Sequence, residues 1–190
     1  MTRERTRYSL CAKLSRFAGD EGGVSALEFA LLLPLMITLY LGGVEISQAV
    51  TADRKTTLVS HTTGDLVAQS SDVTTADMTN VLNAASSVVY PFAVANLKVT
   101  VSSVCIDSQQ RATVAWSQTL NGTARSGTVT SSIPAALLVA NTSLIWGEAS
   151  YSYRPTIGWT ITGTLNLSDK IFLRPRLTSS VTLNSAAGCP

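Results

Sequence analysis

The chain has 190 residues, a formal net charge of +2 and one histidine. Such a nearly neutral chain has no overall field that would hold nucleic acid, so we expect no nucleic-acid partner. The length is sufficient for one domain that buries a real core.

Residues 1–23 form a short basic leader with five lysines and arginines against three acidic residues. Short flanks rich in lysine and arginine stay on the cytoplasmic side of a membrane helix. We therefore expect the N-terminus inside and the C-terminal domain outside the cytoplasm.

Residues 24–44 form an apolar run that contains a single charge, Glu28. As a helix the run would be about 31 Å long, enough to cross a bilayer core of about 30 Å. A secretory signal has a shorter apolar stretch and then a small-residue cleavage site, and no clear site follows this run. The pattern predicts a transmembrane helix. Its carboxylate needs an explanation, because a charge costs up to about 2.5–3.5 kcal/mol at mid-bilayer.

The start of this run has the arrangement of a type IV prepilin signal. The residues that carry the pattern are a basic leader, Gly23, Glu28-Phe29-Ala30, a leucine run and Pro34. They resemble the start of the TadE-like family, the minor pilins or pseudopilins of tight-adherence (Flp-type) pilus systems. The resemblance implies that a membrane prepilin peptidase cuts after Gly23. Val24 then becomes the first residue and Glu28 the fifth.

Elementary electrostatics is compatible with that reading. After the cut, the amine of Val24 would lie one helical turn from Glu28, and pairing within or between subunits would offset the cost of the carboxylate. Phe29 stands where major Flp pilins usually carry tyrosine, which favours a minor pseudopilin. The alternative is an ordinary single-pass anchor whose Glu28 lies shallow enough to reach the headgroups.

Beyond the anchor, residues 45–70 are predicted to continue as an amphipathic stalk helix, interrupted by weakly helix-forming threonines. Residues 71–190 are predicted to form an extracytoplasmic α+β domain. Its first helix begins at a capping-box-like pair, Thr74 and Asp77, and ends at Tyr90-Pro91.

Strand patterns then dominate the chain. The predicted elements are a hairpin of residues 97–106 and 112–118, a short helix at 133–139 with Pro134 in its first turn, and extended segments at 144–153, 159–167 and 180–183. The fold class is therefore α+β: a transmembrane helix extended as a stalk, then a pilin-like domain of helix plus antiparallel sheet.

The residue inventory offers little for catalysis. The sequence has no nucleotide-binding, metal-binding or nucleophile-elbow motif, and its single histidine, His61, falls on the predicted stalk. We expect no enzymatic activity, no metal and no cofactor. The strand aromatics are interpreted as core, with a sugar-binding platform as the alternative: Trp116, Trp146, Trp159, Tyr151 and Tyr153.

The three cysteines divide between two compartments. Cys11 belongs to the cytoplasmic leader, whereas Cys105 and Cys189 share the oxidising side, where a disulfide can form. The alternative is a small buried thiol at Cys105 and a free tail thiol at Cys189.

These observations predict a TadE-like minor pseudopilin, a structural component of Flp pilus assembly in the bacterial inner membrane. The expected partners are a prepilin peptidase, other minor pilins, the pilus or secretion machinery and the lipid bilayer. The alternative function is a membrane-tethered binding module, for example for cell-wall glycan. An anchored hydrolase is poorly supported by the residue inventory.

Overall fold

The computed structural model describes residues 22–155, 158, 163–186 and 189. These residues form two α-helices, six strands and short 3₁₀ turns. The bounds are α1 Gly22–Ala68, α2 Thr75–Val88, β1 Asp72–Val73, β2 Leu97–Ile106, β3 Ala112–Leu120, β4 Thr142–Tyr153, β5 Leu165–Leu173 and β6 Thr182–Leu183. The predicted α+β class is confirmed.

The chain divides into two compact units, with the boundary between Val44 and Glu45. In the first unit, the described residues are the N-terminal part of α1. This helix is long and apolar enough to cross a membrane, and none of its apolar stretch is buried. The second unit contains the rest of α1 and all later elements. Helix α1 is one uninterrupted helix of 47 residues through the predicted anchor and most of the predicted stalk.

From Glu45 onward, α1 buries one face. Its buried side chains recur at three- and four-residue spacing and are mostly small: Glu45, Ala49, Ala52, Thr56, Val59, Ser60, Thr63, Val67 and Ala68. Thr56 and Thr63 do not interrupt the helix as the sequence pattern had indicated. Each hydroxyl donates a hydrogen bond to the carbonyl four residues earlier, at 2.9 and 2.6 Å, so each threonine can be buried.

The main sheet has the strand order β3-β2-β4-β5, and all of its neighbours are antiparallel. The predicted hairpin of β2 and β3 is confirmed, with an irregularity between Ser103 and Val104. Residues 144–153 are likewise confirmed as strand, within β4.

The predicted strand at residues 159–167 is wrong in its bounds. Residues 159–162 lie outside the described residues, and β5 runs from Leu165 to Leu173. The strand continues through Asp169 and Lys170, whose side chains are partly exposed, and β5 pairs only with β4 among the described residues.

Helix predictions in the second unit differ in outcome. The capping box is confirmed: the Thr74 hydroxyl accepts from the Asp77 amide at 3.1 Å, and the Asp77 carboxylate accepts from the Thr74 amide at 3.0 Å. The helix predicted at residues 133–139 is only a 3₁₀ turn, Ala135–Leu137. Pro134 precedes this turn in an extended conformation, and Ile133, Leu137 and Leu138 instead pack in an apolar cluster beside β4.

Helix α1 comes very close to the sheet at two glycines, Gly64 of α1 and Gly147 of β4. A Cβ atom added to Gly147 would lie 2.8 Å from the carbonyl oxygen of Ser60 and 3.3 Å from the Cα of Gly64. Real Cβ atoms essentially never come within 3.0 Å of such an atom. Gly147 is therefore required because two backbones nearly touch there.

The C-terminal tail is held at several points. Strand β6 pairs in parallel with β1, which directly follows α1. Asp72 accepts hydrogen bonds from the hydroxyls of Thr182 and Ser185 and from the Ser185 amide. These bonds, that from Thr182 above all, hold the pKa of Asp72 below its usual value. A disulfide joins Cys189 to Cys105 of β2, with the two Cα atoms 5.3 Å apart.

We expect Gly147→Ala to destabilise the protein by about 1–3 kcal/mol, because the added methyl group meets backbone on a packed helix. Gly64→Ala is the matched control. Its Cβ would meet Ile171 Cγ2 at 3.2 Å and Leu173 Cδ1 at 3.5 Å, which are side-chain ends that can shift. Alanine also raises helix propensity by about 1 kcal/mol, so Gly64→Ala should cost much less. Urea unfolding of the full chain in detergent, followed by tryptophan fluorescence, measures both variants. Equal losses for the two would contradict the assignment.

We expect Cys105→Ser combined with Cys189→Ser to lower the free energy of unfolding by about 4 kcal/mol, because the bridge closes a loop with a sequence separation of 84. The same urea titration measures the change, and Cys11→Ser is the control for thiol loss alone. An unchanged midpoint for the double variant would show that the bridge contributes nothing to stability.

Candidate assembly site

The four residues predicted for processing and assembly lie in the first turns of α1. Gly23, Val24, Glu28 and Phe29 are all exposed, with Val24 at 56% and Phe29 at 59% of their full accessibility. A Cβ atom built on Gly23 meets nothing within 4 Å. Glu28 makes no hydrogen bond or ion pair with any other residue in the described part of the chain. An exposed carboxylate on an apolar helix is thus open to a partner.

Gly22 and Gly23 are already helical, whereas a peptidase holds its substrate extended. Glycine is less favourable in a helix than alanine by about 1 kcal/mol per residue. Two glycines at the very start of α1 therefore make its first turn easy to unwind. The two glycines would therefore favour cleavage in two ways. They unwind easily, and they have no side chain that hinders a peptidase.

Helix α1 continues through Pro34, which lacks the amide that an α-helix uses. Four residues later, the hydroxyl of Thr38 donates a hydrogen bond to the Pro34 carbonyl at 2.8 Å. The carbonyl that Pro34 leaves without an amide donor is that of Ala30, so the Thr38 bond does not replace the missing one. In membrane helices such a carbonyl is satisfied by local adjustments of the backbone or by neighbouring groups. Pro34 is therefore accommodated in α1, and the helix continues beyond it.

Glu45 is a buried carboxylate that sequence reasoning treated only as a polar stalk residue. It is 2% exposed and lies on the same helix face as Ala49 and Ala52. Burial raises the pKa of Tyr153, and the charges of Glu45 and Tyr151 raise it further. The sequence does carry a signal for this burial: Glu45 is four and seven residues before Ala49 and Ala52, a spacing that puts all three on one face of the helix.

His61 lies beside two residues that could suggest a hydrolytic site. Its Nε2 is 3.5 Å from Asp169 Oδ2, and the Ser60 hydroxyl donates to the same oxygen at 2.5 Å. In a Ser-His-Asp triad the imidazole lies between the hydroxyl and the carboxylate. Here the carboxylate lies between the other two groups, so His61 is not placed to take the proton of Ser60. The cluster ties α1 to β5.

The aromatic side chains contribute to packing in the second unit. Trp146, Tyr151 and Tyr153 are buried, and Trp116 is partly buried against a core cluster. The guanidinium of Arg125 lies 3.7 Å from the centre of the Trp146 ring and pairs with Glu148. Trp159 lies outside the described residues. The buried rings therefore do not present an exposed platform for a sugar.

The N-terminal segment is similar to a known protein family. The family model described as TadE-like protein matches residues 23–63. This confirms the TadE-like resemblance over about a fifth of the chain. The chain matches no curated protein and no solved structure.

The TadE-like match lies entirely within α1. It includes the exposed Glu28 and continues through the buried face that packs on the sheet, as far as Thr63. TadE-like proteins are membrane components of tight-adherence pilus systems. The match thus relates the chain to pilus assembly in general, and α1 supplies a helix that can span a membrane.

Proposed function

We propose that the protein is a TadE-like minor pseudopilin, a non-enzymatic component of the tight-adherence pilus assembly. The observation that carries the proposal is the start of the family match at Gly23, the residue after which the peptidase would cut. The match therefore begins where the functional helix would begin and leaves the basic leader outside. Glu28 lies within it as the fifth residue of the processed chain.

The geometry of α1 suggests how the helix would act in assembly. Glu28 is exposed among apolar side chains that include Phe29 and Leu32. A carboxylate in hydrocarbon needs a cationic partner, and processing would create one at the Val24 amine. The partner amine belongs to the same chain or to a neighbouring subunit. In either case the amine exists only after processing, so processing must come before α1 packs stably against neighbouring helices.

The orientation proposed is single-pass in the bacterial inner membrane, with the second unit outside the cytoplasm. The basic leader supports this orientation through the distribution of lysine and arginine around the helix. The disulfide between Cys105 and Cys189 supports it independently, because disulfides persist in oxidising compartments. The proposed partners are a prepilin peptidase and other minor pilins.

In cells with an active prepilin peptidase, we expect the mass of the mature protein to begin at Val24. Gly23→Leu should retain the leader, because a bulky side chain at the cut hinders an extended fit, whereas Gly22→Ala should still be cut. Mass spectrometry of the membrane fraction distinguishes these products. Intact Met1 in the wild-type protein would exclude processing.

We expect Glu28→Ala to reduce pilus-dependent surface adhesion by at least about tenfold, because it leaves the charged Val24 amine without its carboxylate partner among apolar side chains, and an unpaired charge there costs about 2.5–3.5 kcal/mol. Glu28→Gln should behave similarly, because it keeps the shape and removes the charge. Thr38→Ala, on the same helix, is the control. Immunoblots of membrane fractions separate failed insertion from failed assembly. Normal pili with Glu28→Ala would rule out the assembly role of this carboxylate.

A further inference from the structure

The two edges of the main sheet are not equivalent. The outer edge of β3 is partly covered: the Val114 amide donates to the Gly127 carbonyl at 3.0 Å, and the Val129 amide donates to the Ala112 carbonyl at 2.8 Å. Strand β5 has nine residues and, within the described ranges, pairs with β4 alone. Its other edge therefore offers a row of backbone donors and acceptors.

Two clefts border β5. One cleft of about 340 Å³ is formed by Ile171 and Leu173 of β5 together with His61, Thr62 and Asp65 of α1. The other, of about 420 Å³, is polar and is lined by Glu148, Ser168, Asp169 and Lys170. Successive side chains of a strand point to opposite faces. A strand added along β5 would therefore place one set of alternate side chains beside Ile171 and Leu173 in the first cleft, and the other set beside Ser168 and Lys170 in the second.

The charges beside this edge are unequally paired. Asp65 pairs with Arg176, Asp169 with His61, and Glu148 with Arg125. Lys170 and Arg174 are exposed, and neither makes an ion pair with any residue that the structure describes. His61 carries a charge only when it is protonated, so it does not cancel the charge of Asp169, which lies on the α1 side of β5. On the other face, Glu148 is already paired with Arg125, and Lys170 has no acidic partner among the described residues. The charge that complements the Lys170 face of this edge is negative.

A second copy of the chain does not supply that charge. In antiparallel pairing, residues opposite each other lie on the same face, as Glu148 and Lys170 do. A two-fold pairing of β5 with itself would therefore place Lys170 opposite Asn166, Ser168, Lys170 or Phe172 of the other copy. None of these is acidic.

We propose that β5 is a docking edge for an extended acidic segment of another protein, which adds as a further strand of the sheet. Its apolar side chains contact Ile171 and Leu173, and its carboxylates face Lys170. Main-chain hydrogen bonds supply affinity, and the two clefts supply specificity. This binding site rests on the sheet edge and does not depend on the pilus role.

The test uses the full chain in nanodiscs and a fluorescein-labelled nine-residue peptide of alternating valine and glutamate. Fluorescence anisotropy should show saturable binding, and hydrogen exchange should slow within Leu165–Leu173. A peptide of the same composition, with valines and glutamates in separate blocks, should bind at least about tenfold more weakly, because its side chains do not match the two faces of β5. Equal binding of the block peptide, or no binding of the alternating one, would overturn the proposal.

Lys170→Glu should weaken binding of the alternating acidic peptide by about tenfold or more, because it places like charges together. The same variant should gain affinity for a peptide of alternating valine and lysine. Lys98→Glu is the matched control: Lys98 is also exposed and on the same face, but on β2 and away from the edge. An equal loss with Lys98→Glu would assign the effect to overall charge and refute the edge site.

Discussion

The fold of the second unit depends on the near-contact of two backbones, where α1 crosses β4. Only a glycine at position 147 allows the carbonyl of Ser60 to approach this strand, and Gly64 provides the matching space on the helix. The small residues along the rest of the buried face follow from the same short distance. Larger side chains there would move the helix away and open the core on both sides of the contact.

The tail and the central strand depend on one another across a long stretch of sequence. The disulfide fixes the tail to β2, the Trp116 indole donates to the Val181 carbonyl at 2.8 Å, and β6 pairs with β1 just after α1 ends. The segment around β6 thus returns to the end of the helix, and Val181 and Leu183 contribute to the apolar cluster there.

Local patterns predicted the helices, the capping box and the central strands because these depend on neighbours a few residues away. The bounds of β5 were missed, because Asp169 is held by Ser60 and His61, over 100 positions earlier in the chain. The burial of Glu45 and of the threonines also depends on a distant sheet. For the assembly site, Gly23 and Glu28 are marked by spacing alone, whereas the cationic partner proposed for Glu28, the Val24 amine, would arise only on cleavage.

The hydroxyls along α1 have a consequence for the order of folding. Thr38, Thr51, Thr56 and Thr63 each donate to the carbonyl four residues earlier. Their polarity is satisfied by the helix backbone itself, so it needs neither water nor a neighbouring element. The hydroxyls of Thr56 and Thr63 therefore already have their hydrogen bonds before the sheet packs on the helix. When the sheet later packs against it, the hydroxyls need not exchange any bonds.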